Sequence, residues 1–559
     1  MKKCLLFLSA AVLSLCFWLP GSYAQAAGNP VIRIGLFYGS NGLPAANLQN
    51  VSGKGSGYSL GFYNQDAGNS FVPLMQVSQT EITVVKDKLI YISGEKDYSD
   101  VATASYRAVI APYHLQTDRS FGTWQQAQEF SQSLGQDAFP AYVNGAYVVR
   151  IGQYRSAAEA QAEAETVAAQ AGAVTAAGGS ETCYTVTVTG ESTILFELDM
   201  GGTPLGIQPQ GTDVQTWFKG NTYYGGFQYD RVNGNDLTVV NMVKLDDYVK
   251  GVVPYEMSPS WPVEALKAQA LCARNYAVNS QGKHASQGFD LCNTTDCQVY
   301  QGTASANANS DRAVEDTSGQ YILYNGEIAE VFYHASSGGS TEDSENIWSA
   351  AVPYLRGVED TYLTNPIQWS ATLTCEQAAQ ILRDKGYSVS GVTDIYVSQT
   401  SSHGNVIGLT VERQGDSPLV FSKEQARTIL NSSSQGVSIL SHRYTISGSG
   451  GGGGSGSIAI NDQMVNSLDG LYAIGSGGKI AGLDSGGITV ITGSGQQSLE
   501  TMTRTANASG SGGTFTITGT GNGHHIGLSQ WGANGMAAAD FSYQDIIKFY
   551  FTGVQVGPA

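Results

Sequence analysis

Apolar residues recur at helical spacing at Val263, Leu266, Ala270, Ala273, Ala277 and Val278, and Pro262 supplies the fixed φ that suits a first helical position. The pattern predicts a helix over about residues 262–280. Upstream, residues 31–99 carry short alternating stretches separated by Gly, Asn and Asp clusters, which read as antiparallel β-structure. The pattern changes over residues 104–172 to strand, helix, strand, helix, carried by YRAVIAP, TWQQAQEFSQSLG, AYVVRIGQY and SAAEAQAEAETVAAQAG. Two units of similar length suggest a small internal repeat. Residues 184–240 return to β-type alternation. Farther on, CEQAAQILRDKGY reads as an amphipathic helix, GVTDIYVSQTSSHGNVIGLTVE as a hairpin and SILSHRYTISG as a strand. SGSGGGGGSGS at 447–457 reads as a flexible linker, followed by β-like sequence with Gly turns. The expected class is α+β, β-rich and multidomain.

The N-terminus changes the picture first. Lys2 and Lys3, an apolar run from Cys4 to Leu19 and small residues at Ser22, Ala24 and Ala26 have the form of a signal peptide, so export is expected. After its removal no stretch approaches the roughly 20 apolar residues needed to span a bilayer. The net charge of -18, with no basic patch, argues against a nucleic-acid partner. Sparse charge combined with abundant Gly, Ser, Thr and Asn suits an exported protein that binds neutral polar material such as glycan. Beyond the leader five cysteines remain, Cys183, Cys272, Cys292, Cys297 and Cys375, an odd number that excludes a complete disulfide framework.

Candidate chemistry centres on Glu256. It is flanked by Val252, Val253, Pro254, Tyr255 and Met257, so packing would desolvate it and raise its pKa towards what a general acid needs. A surface acid on a loop is the commoner fate of such a residue. Glu264 falls in the first turn of the following helix, where a carboxylate complements the helix dipole, and its expected role is structural.

Four blocks bear on that choice: VVNMVKLDDYVKGVVPYEM with PVEALKAQALCARNYA; CNTTDCQVYQG; VFYHASSGGSTEDSENIW with VPYLRGVED; and GHHIGLSQWGANGMAAADFSYQDIIKFYFTG. In this order they resemble the SpoIID/LytB family of cell-wall proteins, whose enzymatic branch comprises lytic transglycosylases. The segment around YVVRIGQYRSAAEAQAEAETV resembles the SPOR domain, whose members bind peptidoglycan strands that have lost their stem peptides. The implied organisation is a signal peptide at 1–26, a β-rich segment at 27–103 and a SPOR-like domain at 104–175. The SpoIID/LytB domain would then run over 176–446 and 513–559, interrupted by an insertion at 447–512.

The resemblance places Glu256 on the family's catalytic glutamate and implies an exported enzyme that cleaves the MurNAc–GlcNAc β-1,4 bond to leave 1,6-anhydro ends, with no cofactor needed for catalysis. Substrate contacts are implied for His334, Ser336, Ser337 and Thr341 in the third block and for His524 and Gln530 in the fourth. Gln269 and Arg274, on the helix after Glu256, would either line the cleft or make structural hydrogen bonds. His525 stands where the family has a glycine. His284, Cys292 and Cys297 form a two-thiol, one-imidazole set able to ligate a structural zinc, with Asp296 where family members commonly carry His. The rival is a Cys292–Cys297 disulfide. A non-catalytic cell-wall protein that enhances an N-acetylmuramoyl-L-alanine amidase is the alternative function. A hydrolytic muramidase would need a second carboxylate near Glu256, from among Asp246, Asp247, Glu342 and Glu345.

Overall fold

The computed structural model describes residues 28–102, 105–135, 137–449 and 513–559, with six short strands between 458 and 498. The expected signal peptide and the glycine run at 450–457 lie outside the described residues. Ser447 to Ser449, expected to open the linker, instead complete the strand Arg443–Ser449.

The β-rich N-terminal segment is not a unit of its own. Val31–Phe37 pairs antiparallel with Thr238–Lys244, and Tyr58–Asn64 pairs with Leu205–Pro209, inside one seven-stranded sheet. Glu81–Lys86 pairs with Cys183–Val188 inside a ten-stranded sheet. Alternation predicts strands but not their partners, and here the partners lie about a hundred residues away or farther.

The two-unit segment is built β-α-β-β-α-β: Tyr113–Thr117, α1 (Trp124–Leu134), Ala138–Val143, Ala146–Tyr154, α2 (Ala157–Ala171) and Val174–Gly178. Ala108–Ile110, read from YRAVIAP as its first strand, pairs elsewhere, with Ile90–Ile92. Thr123 and Ser156 cap the two helices through their hydroxyls. The four strands form one end of the ten-stranded sheet, and Ala138–Val143 joins the rest through a parallel pairing with Ile194–Asp199. The expected separate domain at 104–175 is therefore continuous with its neighbour. A buried ionic cluster secures the join: Glu197 lies 2.7 Å from Arg150 Nη1 and 3.1 Å from His114 Nε2. Burial alone would raise the Glu197 carboxyl, but these two cations hold it down to about 2.

The main hydrophobic core gathers strands of both sheets around α3 (Leu245–Glu256), α4 (Val263–Asn279) and α5 (Ala308–Glu315), together with the helices Gln530–Ala538 and Tyr543–Tyr550. α4 carries the expected helix with Pro262 at its N-cap. Twelve of its 17 residues are buried, so it is enclosed rather than one-faced. Alanines at 268, 270, 273 and 277 let the surrounding helices approach closely. A second core is formed by residues 371–446 with Phe515 and Ile517. It contains the helix Cys375–Asp384, capped by a Thr374–Gln377 box, and the hairpin Val392–Thr400 with Val406–Arg413, as the pattern predicted. Arg443–Ser449 and Thr514–Thr520 are antiparallel neighbours with Ser449 opposite Thr514. The intervening chain therefore leaves and re-enters the fold at one point, as an insertion does.

Candidate active site

Glu256 is not on a loop. It is the last residue of α3, and Met257 turns into extended backbone while its N–H bonds the carbonyl of Val253 to close the final turn. Pro254 inside this helix is why the sequence pattern did not reveal it. Half-buried there, Glu256 accepts from the Val299 N–H at 3.4 Å (Oε1) and from Gln530 Nε2 at 3.3 Å (Oε2), and it also bonds the Tyr333 side chain. Burial raises its pKa, and the three hydrogen bonds oppose the rise without cancelling it. The negative end of the α3 dipole works in the same direction as burial.

Tyr333 was not singled out from the sequence as a site residue. Gln298 Nε2 donates to its hydroxyl at 3.0 Å and Tyr248 donates to Gln298 Oε1 at 3.0 Å, so the Tyr333 proton is directed at Glu256. A parallel pairing of Tyr333–His334 with Leu528–Ser529 brings the third and fourth sequence blocks to the end of α3. Gln530 follows directly, and its Nε2 also reaches Gln269 Oε1 at 3.4 Å. Among the described residues, Gln269 Nε2 is buried without a partner. Beside this cluster the half-buried rings of Trp261 and Trp531 lie 4.6 Å apart.

The other expected substrate contacts fare differently. Arg274 is fully buried, paired with Asp246 at 2.8 Å and bonded to the Val314 and Gln320 carbonyls, which leaves none of it for a ligand. Ser336 donates to the Asn365 carbonyl and Ser337 to Asp360, while Thr341 Oγ1 accepts from the Val358 N–H, so all three brace the loop. His334 is buried, with Nδ1 against the Ile526 carbonyl and Nε2 without a partner among the described residues. His524 lies among Phe332, His334 and Trp348, and burial pushes its pKa down to about 4. Both rings are neutral near pH 7. His525 has φ 64, the left-handed conformation that suits the glycine it replaces. Its Nδ1 contact with Asn405 Oδ1 at 3.0 Å ties the main core to the second one.

None of the four candidate second carboxylates serves Glu256. Asp246 and Asp247 sit in the first turn of α3, about 14–15 Å along the helix from Glu256, beyond the separation used by paired glycosidase carboxylates. Glu345 is engaged by Arg356, which holds it down to about 2. Glu342 is buried, accepting from Ser401, Asn405 and Asn346. Glu264 accepts from the Tyr543 N–H and pairs with Lys267, the structural role expected of it.

Next to the site, His284, Cys292, Asp296 and Cys297 each offer a donor atom within 4.8 Å of the others, and both thiols are free rather than joined. His284 Nε2 lies 3.4 Å from Cys297 Sγ and 3.2 Å from Asp296 Oδ2. Tetrahedral zinc with its usual bond lengths has donor–donor edges of about 3.3–3.8 Å, and separations of 3.2 to 4.0 Å among these donors lie within a few tenths of an ångström of that, a donor set compatible with such an ion with Asp296 as the fourth ligand. The segment runs straight on into Gln298 and Val299, which serve Tyr333 and Glu256.

A family model described as stage II sporulation protein, SpoIID, matches residues 233–324, which include α3, α4 and the four-donor cluster. An uncharacterised protein of Brachyspira hyodysenteriae is 30% identical over 377 residues, covering 66% of this chain and 83% of that protein. Stage II sporulation protein D of Bacillus subtilis is 26% identical over 336 residues, 57% of this chain and 76% of that protein. An amidase enhancer of Bacillus subtilis is 30% identical over 317 residues, 55% of this chain and 39% of the enhancer. With the matched model lying over the helix that presents Glu256 and its neighbours, the chain belongs to the SpoIID/LytB family.

Proposed function

We propose that the protein is an exported peptidoglycan lytic transglycosylase in which Glu256 is both acid and base. The observation that carries this reading is a single half-buried carboxyl with a raised pKa, served by Val299, Gln530 and Tyr333, with no second carboxylate among its partners in the described residues. Protonated Glu256 gives its proton to the glycosidic oxygen as the bond to muramic acid C1 breaks. The resulting carboxylate takes the proton of the sugar's own 6-hydroxyl as that oxygen closes on C1, which yields a 1,6-anhydro end and returns the acid without consuming water. Tyr333 and Gln530 hold the carboxyl in place and stabilise its charged form between the two transfers. His524, half-buried and neutral at working pH, is the member of the expected set left to hydrogen-bond sugar hydroxyls or acetamido groups, since the free nitrogens of Gln269 and His334 are closed off from solvent. The SPOR-like segment would bring the enzyme to peptide-free strands.

His284, Cys292, Asp296 and Cys297 would hold a structural zinc, whose chemistry there is to pin the segment that leads into Val299. The test of the catalytic reading is Glu256→Gln. Cleavage of peptide-free glycan is expected to vanish with the fold intact, and undiminished turnover would refute the assignment. The second reading, a non-catalytic amidase-enhancing protein, is favoured by similarity to the Bacillus subtilis amidase enhancer, and it predicts no cleavage by either form.

A further inference from the structure

Four of the chain's seven histidines gather between the main core and the second one. The rings of His524 and His334 lie 5.5 Å apart, those of His334 and His525 5.4 Å, and those of His525 and His442 6.4 Å. His525 is tied into a closed loop of hydrogen bonds. Its Nδ1 meets Asn405 Oδ1 at 3.0 Å, Asn405 Nδ2 donates to Glu342 Oε2 at 2.9 Å, and the Glu342 N–H returns to the His525 carbonyl at 2.8 Å. His525, Asn405 and Glu342 are fully buried.

These partners fix the tautomers. A carboxylate only accepts, so the Asn405 amide turns its nitrogen to Glu342 and its oxygen to His525, and His525 donates from Nδ1. His334 Nδ1 donates likewise, to the Ile526 carbonyl. In both rings Nε2 is then the bare nitrogen, and in both it is buried without a partner among the described residues. Gly521 closes over the His525 nitrogen so tightly that a Cβ there would stand 2.7 Å from it. The charged side chains facing the cluster offer such a proton no acceptor. Glu424 is held by His442 Nε2 at 3.0 Å and by Arg427, Glu342 is held by Ser401, Asn405 and Asn346, and Arg427 and Arg443 are themselves cations. A proton on either Nε2 would be an unpaired buried charge, and two would repel across rings 5.4 Å apart.

We propose that His334 and His525 form an acid-sensitive catch that releases residues 522–530 from the second core when the surroundings turn acidic. Burial holds both imidazoles well below their ordinary pKa, so the closed form stays unprotonated while the opened form takes up protons below about pH 6.5. The catch is firm above that pH and loosens progressively below it. The released segment includes Gln530, the donor to Glu256 Oε2, and Leu528–Ser529, which pair with Tyr333–His334. Opening therefore dismantles the surroundings of Glu256. That it also switches off catalysis rests on the proposed function, whereas the catch itself does not.

The test is hydrogen exchange of the full chain, read by mass spectrometry from about pH 7.5 down to about pH 5 and corrected for the intrinsic rate at each pH. Below about pH 6.5 the opening constant of residues 522–530 is expected to rise by up to about 100-fold per pH unit, the limit for uptake of two protons, while α4 keeps its protection. His525→Asn retains a residue that tolerates the left-handed backbone and removes one proton site, so the rise should drop to about tenfold per unit. An opening constant indifferent to pH, or the same pH dependence in parent and variant, would overturn the inference. The parent's own pH dependence decides even where the variant does not fold. Glu256→Gln should open as the parent does, so a failure of the catch is read apart from a failure of the catalytic assignment.

Discussion

Gln530 Nε2 lies 3.3 Å from Glu256 Oε2 across 274 residues of sequence, a separation that includes the whole insertion. This contact and the Tyr333 bond both favour the ionised carboxyl and so work against the rise that burial causes. Removing either donor must move the Glu256 pKa further up. For Gln530→Ala and Tyr333→Phe the alkaline limb of the pH–activity profile, where the acid form is lost, is expected to shift to higher pH. Turnover should fall about 10- to 100-fold as the carboxyl loses its orientation. A pH–rate profile of each variant reads both effects.

Arg274 separates a structural from a substrate-binding role. Arg274→Met leaves Asp246 and two carbonyls without their buried partner, and a loss of about 3–5 kcal/mol in unfolding free energy is expected. Activity per folded molecule should be nearly unchanged. Denaturant titration alongside active-fraction assays distinguishes this from a direct contact with substrate, which would raise KM without a loss of stability.

The register that pairs Ser449 with Thr514 predicts that the insertion can be removed without disturbing the two strands that flank it. Replacing residues 450–513 with Asn-Gly would close the two strands with a two-residue hairpin turn. The shortened protein is expected to unfold within a few degrees of the parent, an order-of-magnitude expectation for a change of under about 1 kcal/mol, and to keep its cleavage activity. Thermal unfolding and product release check this.

If the four-donor cluster holds zinc, a strong chelator should lower Tm and expose the Cys292 and Cys297 thiols to a thiol reagent, with both effects reversed by zinc. Activity should fall in parallel, since the same segment presents the Val299 N–H to Glu256. Metal analysis of the purified protein, read beside the thiol count, provides the check.

The regular elements of the second core and the helix after Glu256 were legible because each has a strong period and a clear cap: Thr374 before Cys375–Asp384, Pro262 before α4. Glu256 itself was legible as a desolvated acid, though its helix was not, because Pro254 breaks the local pattern. Tyr333 and Gln298 were hidden for a different reason. Tyr333 acts through a strand pairing with Leu528–Ser529, and Gln298 acts through Tyr333 and Tyr248, partners distant in sequence, so neither relation has a local signature. The serines and threonine of the third block look like sugar ligands in a list of residues. In the fold their hydroxyls close a tight loop, because buried backbone groups there need partners. The N-terminal strands were visible by alternation, while their pairing with residues 183–244 was decided by the core they share.

The most direct test of the central claim is digestion of peptide-free peptidoglycan strands in isotopically labelled water, with the new ends read by mass spectrometry. Ring closure by the sugar's own 6-hydroxyl predicts 1,6-anhydro ends, lighter by one water than hydrolytic ends and free of label, and no such ends from Glu256→Gln. Reducing ends carrying the label, or the absence of any product from the parent protein, would contradict it.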